Sequence, residues 1–266
     1  MLDFGFYNMD CMDGMKEFPD GFFDLAIVDP PYGIKADKGT GGFGDKSLAR
    51  HYTSKWDDSI PSAEYFDELK RISKNQIIFG AQYMIEHLNA GTKWLVWDKV
   101  GTVKFQNPYS KCELAYTSFS GAVDKFFYMQ MGYFTKNKDQ RIHPTQKPVD
   151  LYKYILEHYA KPGDKILDTH VGSASSLVAC RECGFKYVGF EIDEDYFREA
   201  KKRLDAAEAQ ANIFDFIGGT HEKNNHDLDR VDDHVDARPG GCKNNISLFD
   251  KDTGDEGTGE QEITHD

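Results

Sequence analysis

The chain predicts an α/β fold, a doubly wound sheet covered by helices on both faces, and three observations carry that expectation. Short apolar runs at 22–28, 165–168 and 187–191 suit buried parallel strands, and each ends on, or runs straight into, an acidic residue. Helix-like segments alternate with these runs, the pattern of strand–helix–strand units. With 266 residues, 39% of them apolar, one sizeable domain with one core is expected.

In chain order, strands are expected near 4–9, 22–28, 75–80, 93–97, 112–119, 165–168 and 187–191, and helices near 62–73, 81–89, 148–160, 174–184 and 193–209. The run Phe22-Phe23-Asp24-Leu25-Ala26-Ile27-Val28 stops at Pro30 and Pro31, which continue neither strand nor helix. The helix at 174–184 opens after a turn of small residues. That at 193–209 is rich in Ala, Glu, Lys, Arg and Leu, with Asp193 placed as its N-cap.

Asp29-Pro30-Pro31-Tyr32 sits on the carboxyl end of the second strand, the edge where open α/β sheets bind ligands. The prolines lack N–H groups, so the local carbonyls face outward as acceptors beside the Asp29 carboxylate, and an exocyclic amino group has two N–H donors to match. The bland alternative is a strand followed by a polyproline turn, with Tyr32 on the surface.

Two later segments weigh against the bland reading. Lys165 to Ser176 reads as a strand, a small-residue turn and a helix start, where a ligand can approach backbone closely. Tyr187-Val188-Gly189-Phe190-Glu191 then places an acid about 20 residues after the Asp168 turn, the spacing that meets ribose hydroxyls. Serines stand where a dinucleotide-binding turn carries more glycines, so a nucleoside without phosphates is favoured over a pyrophosphate. S-adenosylmethionine fits, with ribose hydroxyls for Glu191 and a cationic amine for Asp168.

These segments, with Asn8-Met9-Asp10-Cys11, Trp97-Asp98-Lys99 and His143-Pro144-Thr145-Gln146-Lys147-Pro148, resemble the amino-group DNA methyltransferases, which methylate adenine N6 or cytosine N4. The likeness runs through most of residues 1–205. The catalytic motif comes first and the cofactor motif last, as in the permuted beta class, so the fold implied is a circularly permuted, Rossmann-like, S-adenosylmethionine-dependent methyltransferase sheet. A physical argument agrees: no third strand follows Glu191, and residues 4–10 can supply it, with Asp10 turned toward the cofactor's adenine or left as a plain surface acid.

The resemblance assigns catalysis to Asp29, Pro30, Pro31 and Tyr32, and cofactor binding to Asp10, Thr145, Lys147, Asp168, Gly172, Ser173 and Glu191. His143 and Gln146 hold loop shape. It implies adenine N6 in preference to cytosine N4, because an acid rather than a serine precedes Pro-Pro-Tyr. An RNA or protein-amide methyltransferase and a catalytically silent DNA- or clamp-binding module are the alternatives.

A stacked base hides its amino nitrogen, so the target in double-stranded DNA must be flipped out. The irregular stretch from Gly33 to Ile60 supplies Lys35, Lys46 and Arg50 for DNA contact, or else is a surface insertion. A short target-recognition segment is expected at about 118–142, where Lys125, Lys136, Lys138 and Arg141 interleave with aromatics. Phe126, Phe127 and Phe134 are equally readable as core residues of a β-hairpin. Such a small reader predicts a short site or a homodimer, and a restriction endonuclease partner is left open.

The net charge of −13 is concentrated at the end, where residues 221–266 hold 13 acids against 5 Lys or Arg. The methyltransferase domain is therefore placed at 1–220, with 221–266 as an acidic tail expected to be disordered. Within and before that tail, Gln210 to Phe214 and Asn245 to Phe249 resemble sliding-clamp-binding peptides, although a helix end and random recurrence explain them better. No stretch reads as a membrane span or leader, so a cytoplasmic protein is expected. Five cysteines, an odd number, point to reduced thiols, and Cys180-x-x-Cys183 lacks a second pair or a nearby histidine, so no metal is expected.

Overall fold

The computed structural model describes residues 1–34, 57–104, 110–131, 134–135, 142–143 and 145–218. The expectations for Lys35, Lys46, Arg50, Lys136, Lys138 and Arg141, and for the tail at 221–266, lie outside these residues.

The elements run β1 (Gly5–Asn8), α1 (Cys11–Met15), β2 (Phe23–Val28), α2 (Ala63–Ile72), β3 (Ser73–Phe79), β4 (Trp94–Asp98), β5 (Cys112–Thr117), β6 (Asp124–Phe127), β7 (Gln130–Met131), β8 (Phe134–Thr135), α3 (Val149–Tyr159), β9 (Lys165–Asp168), α4 (Ser175–Glu182), β10 (Lys186–Glu191) and α5 (Glu194–Gly218). Eight strands form one sheet in the order β1-β10-β9-β2-β3-β5-β4-β6, while β7 and β8 pair separately. Among the described strands of this sheet, β5 runs against both neighbours and the other pairs are parallel. It is a Rossmann-like sheet with the strand order that the permuted arrangement predicts. The chain's first strand pairs with its last, Gly5 opposite Val188 and Asn8 opposite Glu191.

Alternation along β2 explains the two-faced core. Leu25 and Ile27 pack with Leu151 and Ile155 of α3, whereas Ala26 and Val28 pack with Phe66 and Leu69 of α2. Each fully buried Leu or Ile of this kind contributes about 1.5–3 kcal/mol over its exposed state. A run buried on both faces must be apolar throughout, as 25–28 is.

Three elements differ from expectation. Residues 81–89 form two 3-10 turns, Ala81–Tyr83 and Ile85–His87, because Met84 at φ −129° drops its buried side chain into the core and interrupts the ladder. Part of the proposed recognition segment belongs to the main sheet: β6 pairs with β4, and Asp124 accepts hydrogen bonds from Tyr154 (2.7 Å) and Tyr159 (3.0 Å) of α3. Helix α5 continues past 209, carrying 210–214 as helical backbone. Cys11, Cys112 and Cys180 are free thiols, but Cys183 is not, which departs from reduced thiols throughout. Among the described residues, no helix is long and apolar enough to cross a membrane.

Strands β9 and β2 lie side by side, Leu25 opposite Ile166 and Ala26 opposite Leu167, yet the chain leaves them toward opposite edges of the sheet. That divergence opens a crevice above their carboxyl ends. Asp29 and the turn after Asp168 thus meet across it.

Candidate active site

A cavity of about 450 Å³ occupies the crevice, with Asp29, Pro31, Lys147, Gly172, Ser173 and Glu191 in its wall. That volume suits a nucleoside-sized ligand.

On the β2 side, the turn after Val28 is pinned by buried Asp57, whose Oδ1 accepts from the backbone N–H groups of Tyr32 (2.7 Å) and Gly33 (2.8 Å). Tyr32 donates its hydroxyl to Asp29 Oδ1 at 2.6 Å, and its ring stacks on Tyr83 with centroids 5.5 Å apart. The other Asp29 oxygen accepts from the Lys147 ammonium, which also lies 3.3 Å from the Tyr32 hydroxyl and 3.5 Å from Glu113 Oε2. Burial opposes the Lys147 charge, but Asp29 and Glu113 outweigh it and hold the ammonium above its ordinary pKa. Burial likewise pushes the Tyr32 phenol well up, aided by the Asp29 charge. The hydroxyl therefore stays protonated as a donor to Asp29.

On the β9 side, Asp168 is buried beneath the turn. It accepts from the backbone N–H of His170 (2.9 Å) and from the Ser176 hydroxyl, and burial raises its pKa to about 7. Its carboxylate shapes the turn and is absent from the cavity wall. The turn's Gly172 has φ +53°, and its N–H donates to Glu191 Oε2 at 2.8 Å, while Asp193 N–H donates to Oε1 at 2.9 Å. Burial raises the Glu191 pKa against these two donors. Ala174 takes a left-handed φ of 61°, a strained conformation at the start of α4.

The loop carrying Thr145 and Lys147 is braced by its own polar residues. His143 Nδ1 lies 3.0 Å from the Thr145 hydroxyl and its ring packs on Tyr196, while Gln146 Oε1 accepts from Ile142 N–H at 3.0 Å. Asp10 caps α1 by accepting from Met12 N–H at 2.8 Å, outside the cavity wall. Pro30 also lies off the wall. Lys125 is exposed and pairs with Asp98 at 2.9 Å.

Sequence reasoning missed Asp57, Glu113, Tyr152, His170 and Tyr196. Glu113 had a signal: an acid inside Cys112-Glu113-Leu114-Ala115-Tyr116 needs a cationic partner if that strand is buried. The others belong to contacts distant in sequence.

Residues 91–202 match the family model for DNA methylases of the N6/N4 amino type. Over 217 residues the chain is 28% identical to YubD of Escherichia coli (strain K12), which is described as a methylase, spanning 76% of this chain and 91% of that one. It is 25% identical over 257 residues to the type II methyltransferase M.HpaI of Haemophilus parainfluenzae, spanning 82% and 78%. Among solved structures, the PvuII DNA methyltransferase (cytosine-N4-specific) shares the fold at a TM-score of 0.50 and 11% identity, covering 78% of this chain and 91% of that one. Motifs, sheet order and matches make the chain similar to the amino-group DNA methyltransferases, and S-adenosylmethionine is the cofactor that this likeness supports.

Proposed function

We propose that this methyltransferase acts on the N6 amino group of adenine in double-stranded DNA, and that residues 1–220 carry the activity. The observation that carries the reading is Asp29: a carboxylate, not a hydroxyl, faces the cavity from the end of β2, across from Glu191.

S-adenosylmethionine supplies a methyl group already activated by a sulfonium. What remains for the protein is orientation and electrostatics. Glu191 suits ribose hydroxyls, and the Gly172 and Ser173 backbone suits the cofactor's body. Asp29 accepts an N–H of the extruded adenine; the resemblance gives the second acceptor as the Pro30 carbonyl, which lies off the cavity wall here and must turn toward the base. This draws nitrogen toward tetrahedral geometry and stabilises the positive charge it gains. Tyr32 offers its ring to the base, and its hydroxyl bond to Asp29 keeps the carboxylate from rotating. After transfer the nitrogen sheds one proton to solvent. No covalent enzyme intermediate is required.

The test is transfer of labelled methyl from S-adenosylmethionine to unmethylated duplex DNA of mixed sequence, followed by digestion to nucleosides and chromatography. N6-methyladenine is expected. N4-methylcytosine would overturn the base assignment, and label on RNA or protein but not DNA would overturn the substrate.

A further inference from the structure

We infer that Glu113 is a positioning residue for methyl transfer: it receives the Lys147 ammonium when the target amino group takes over Asp29. The inference rests on the proposed role of Asp29.

In the structure both Asp29 oxygens are engaged, Oδ1 by the Tyr32 hydroxyl at 2.6 Å and Oδ2 by Lys147. The ammonium thus holds the place that an amino group needs. It is also the wrong neighbour for catalysis, since the acceptor nitrogen becomes cationic as the methyl arrives, and two like charges on one carboxylate repel strongly where water is excluded. Lys147 is nearly fully buried, so withdrawal into solvent is closed to it.

Glu113 offers the alternative. Its Oε2 stands 3.5 Å from Lys147 Nζ, so a movement of about 0.7 Å makes a full charge-assisted hydrogen bond, and swinging further onto that oxygen releases Asp29. The receiver is itself fixed, because Lys99 Nζ holds Oε1 at 3.0 Å. It sits on β5 within the sheet and does not follow the loop that carries Lys147. The Phe79 ring, 4.7 Å from the ammonium, keeps a favourable surface beside it. Two lysines and two carboxylates balance in charge, and the exchange of partners keeps the charge buried and paired.

The test compares Glu113→Gln, which keeps shape and loses charge, with Glu113→Asp, which keeps charge and loses reach. Wild-type transfer to DNA is established first, so a failure of the function assignment is seen separately as no transfer by the wild type. Glu113→Gln is expected to lower kcat about tenfold or more, with affinity for S-adenosylmethionine within about twofold, and Glu113→Asp to recover part of the loss. A space-filling role gives the reverse order, Gln above Asp, and overturns the inference. So does a fall in cofactor affinity that matches the fall in kcat. Should Glu113→Gln fail to fold, Glu113→Asp decides alone: kcat within about tenfold of wild type with unchanged cofactor affinity upholds the inference, and a larger loss overturns it.

Discussion

The ring of Tyr32 lies against the bare α-carbon of Gly80, so closely that a β-carbon there would stand 2.0 Å from Cε1 of the ring. Gly80 also has φ +66°, a conformation that side chains rarely adopt. Both facts place a requirement for glycine just past the end of β3, beside the turn that carries Asp29 and Tyr32. Gly80→Ala is expected to lose about 1–3 kcal/mol of stability, and to displace Tyr32 enough to cut kcat by about a hundredfold. Thermal unfolding and steady-state kinetics check the two effects separately.

Asp29→Ala is expected to keep S-adenosylmethionine binding while lowering transfer by about a thousandfold or more, because it removes the acceptor aimed at the nitrogen that gains charge. Lys147 retains Glu113 within 3.5 Å, so the variant folds. Equilibrium dialysis with labelled cofactor is the check, and lost binding would show that Asp29 belongs to the cofactor site.

Glu191→Ala should act in the opposite order. It strips two backbone donors of their acceptor, those of Gly172 and Asp193, and opens the wall of the cavity. Cofactor affinity is expected to fall about tenfold to a hundredfold, with kcat at saturating cofactor much less affected. A kcat defect at saturation with normal affinity would contradict this.

Ser176→Ala removes a donor to the buried Asp168 carboxyl, leaving His170 N–H at 2.9 Å. A buried acceptor deprived of a donor costs about 1–3 kcal/mol. The expected result is that much loss in chemical denaturation, with weakened cofactor binding because the turn at 169–174 rests on Asp168.

His170 gives a pH signature. Burial lowers its pKa from 6.5 to about 4, so the folded protein resists the proton that the unfolded chain accepts. The associated stability is present above pH 6.5 and is lost as pH falls from 6.5 toward 4, by an amount on the order of 2 kcal/mol. In His170→Gln that acid-side loss should shrink. Unfolding free energies at pH 7, 5.5 and 4.5 for both proteins test it; parallel curves would exclude the imidazole as the cause.

The parts legible in the sequence share one property: they depend on local period and turn chemistry. Two prolines after an apolar run end β2 just before Asp29, and a small-residue turn after Lys165-Ile166-Leu167-Asp168 opens α4. The missing third strand after Glu191 pointed to the pairing of β1 with β10. Less legible was 118–142, where Lys125 and Phe126 fit both a DNA reader and a strand. The sheet claims β6, because Asp124 finds two tyrosine hydroxyls and Phe126 stacks on Tyr128 and packs at a tilt against Tyr154. Residues 81–89 misled because Ala81, Met84 and Leu88 keep a helical spacing, whereas burial of Met84 in the core decided against a continuous helix.

The sequence by itself determined the fold class, the permuted order and the identity of the acids at four strand ends, since strand length, proline and apolar patterning act over a few residues. Tertiary structure alone decided what those acids do. Asp168 turned inward to hold its turn, Asp10 became a helix cap, and Asp29 met Lys147 from 118 residues away, with Glu113 as the ammonium's second partner. Charges that must be paired when buried choose partners by position in space, and that position is set only when β2, β5 and β9 take their places in one sheet.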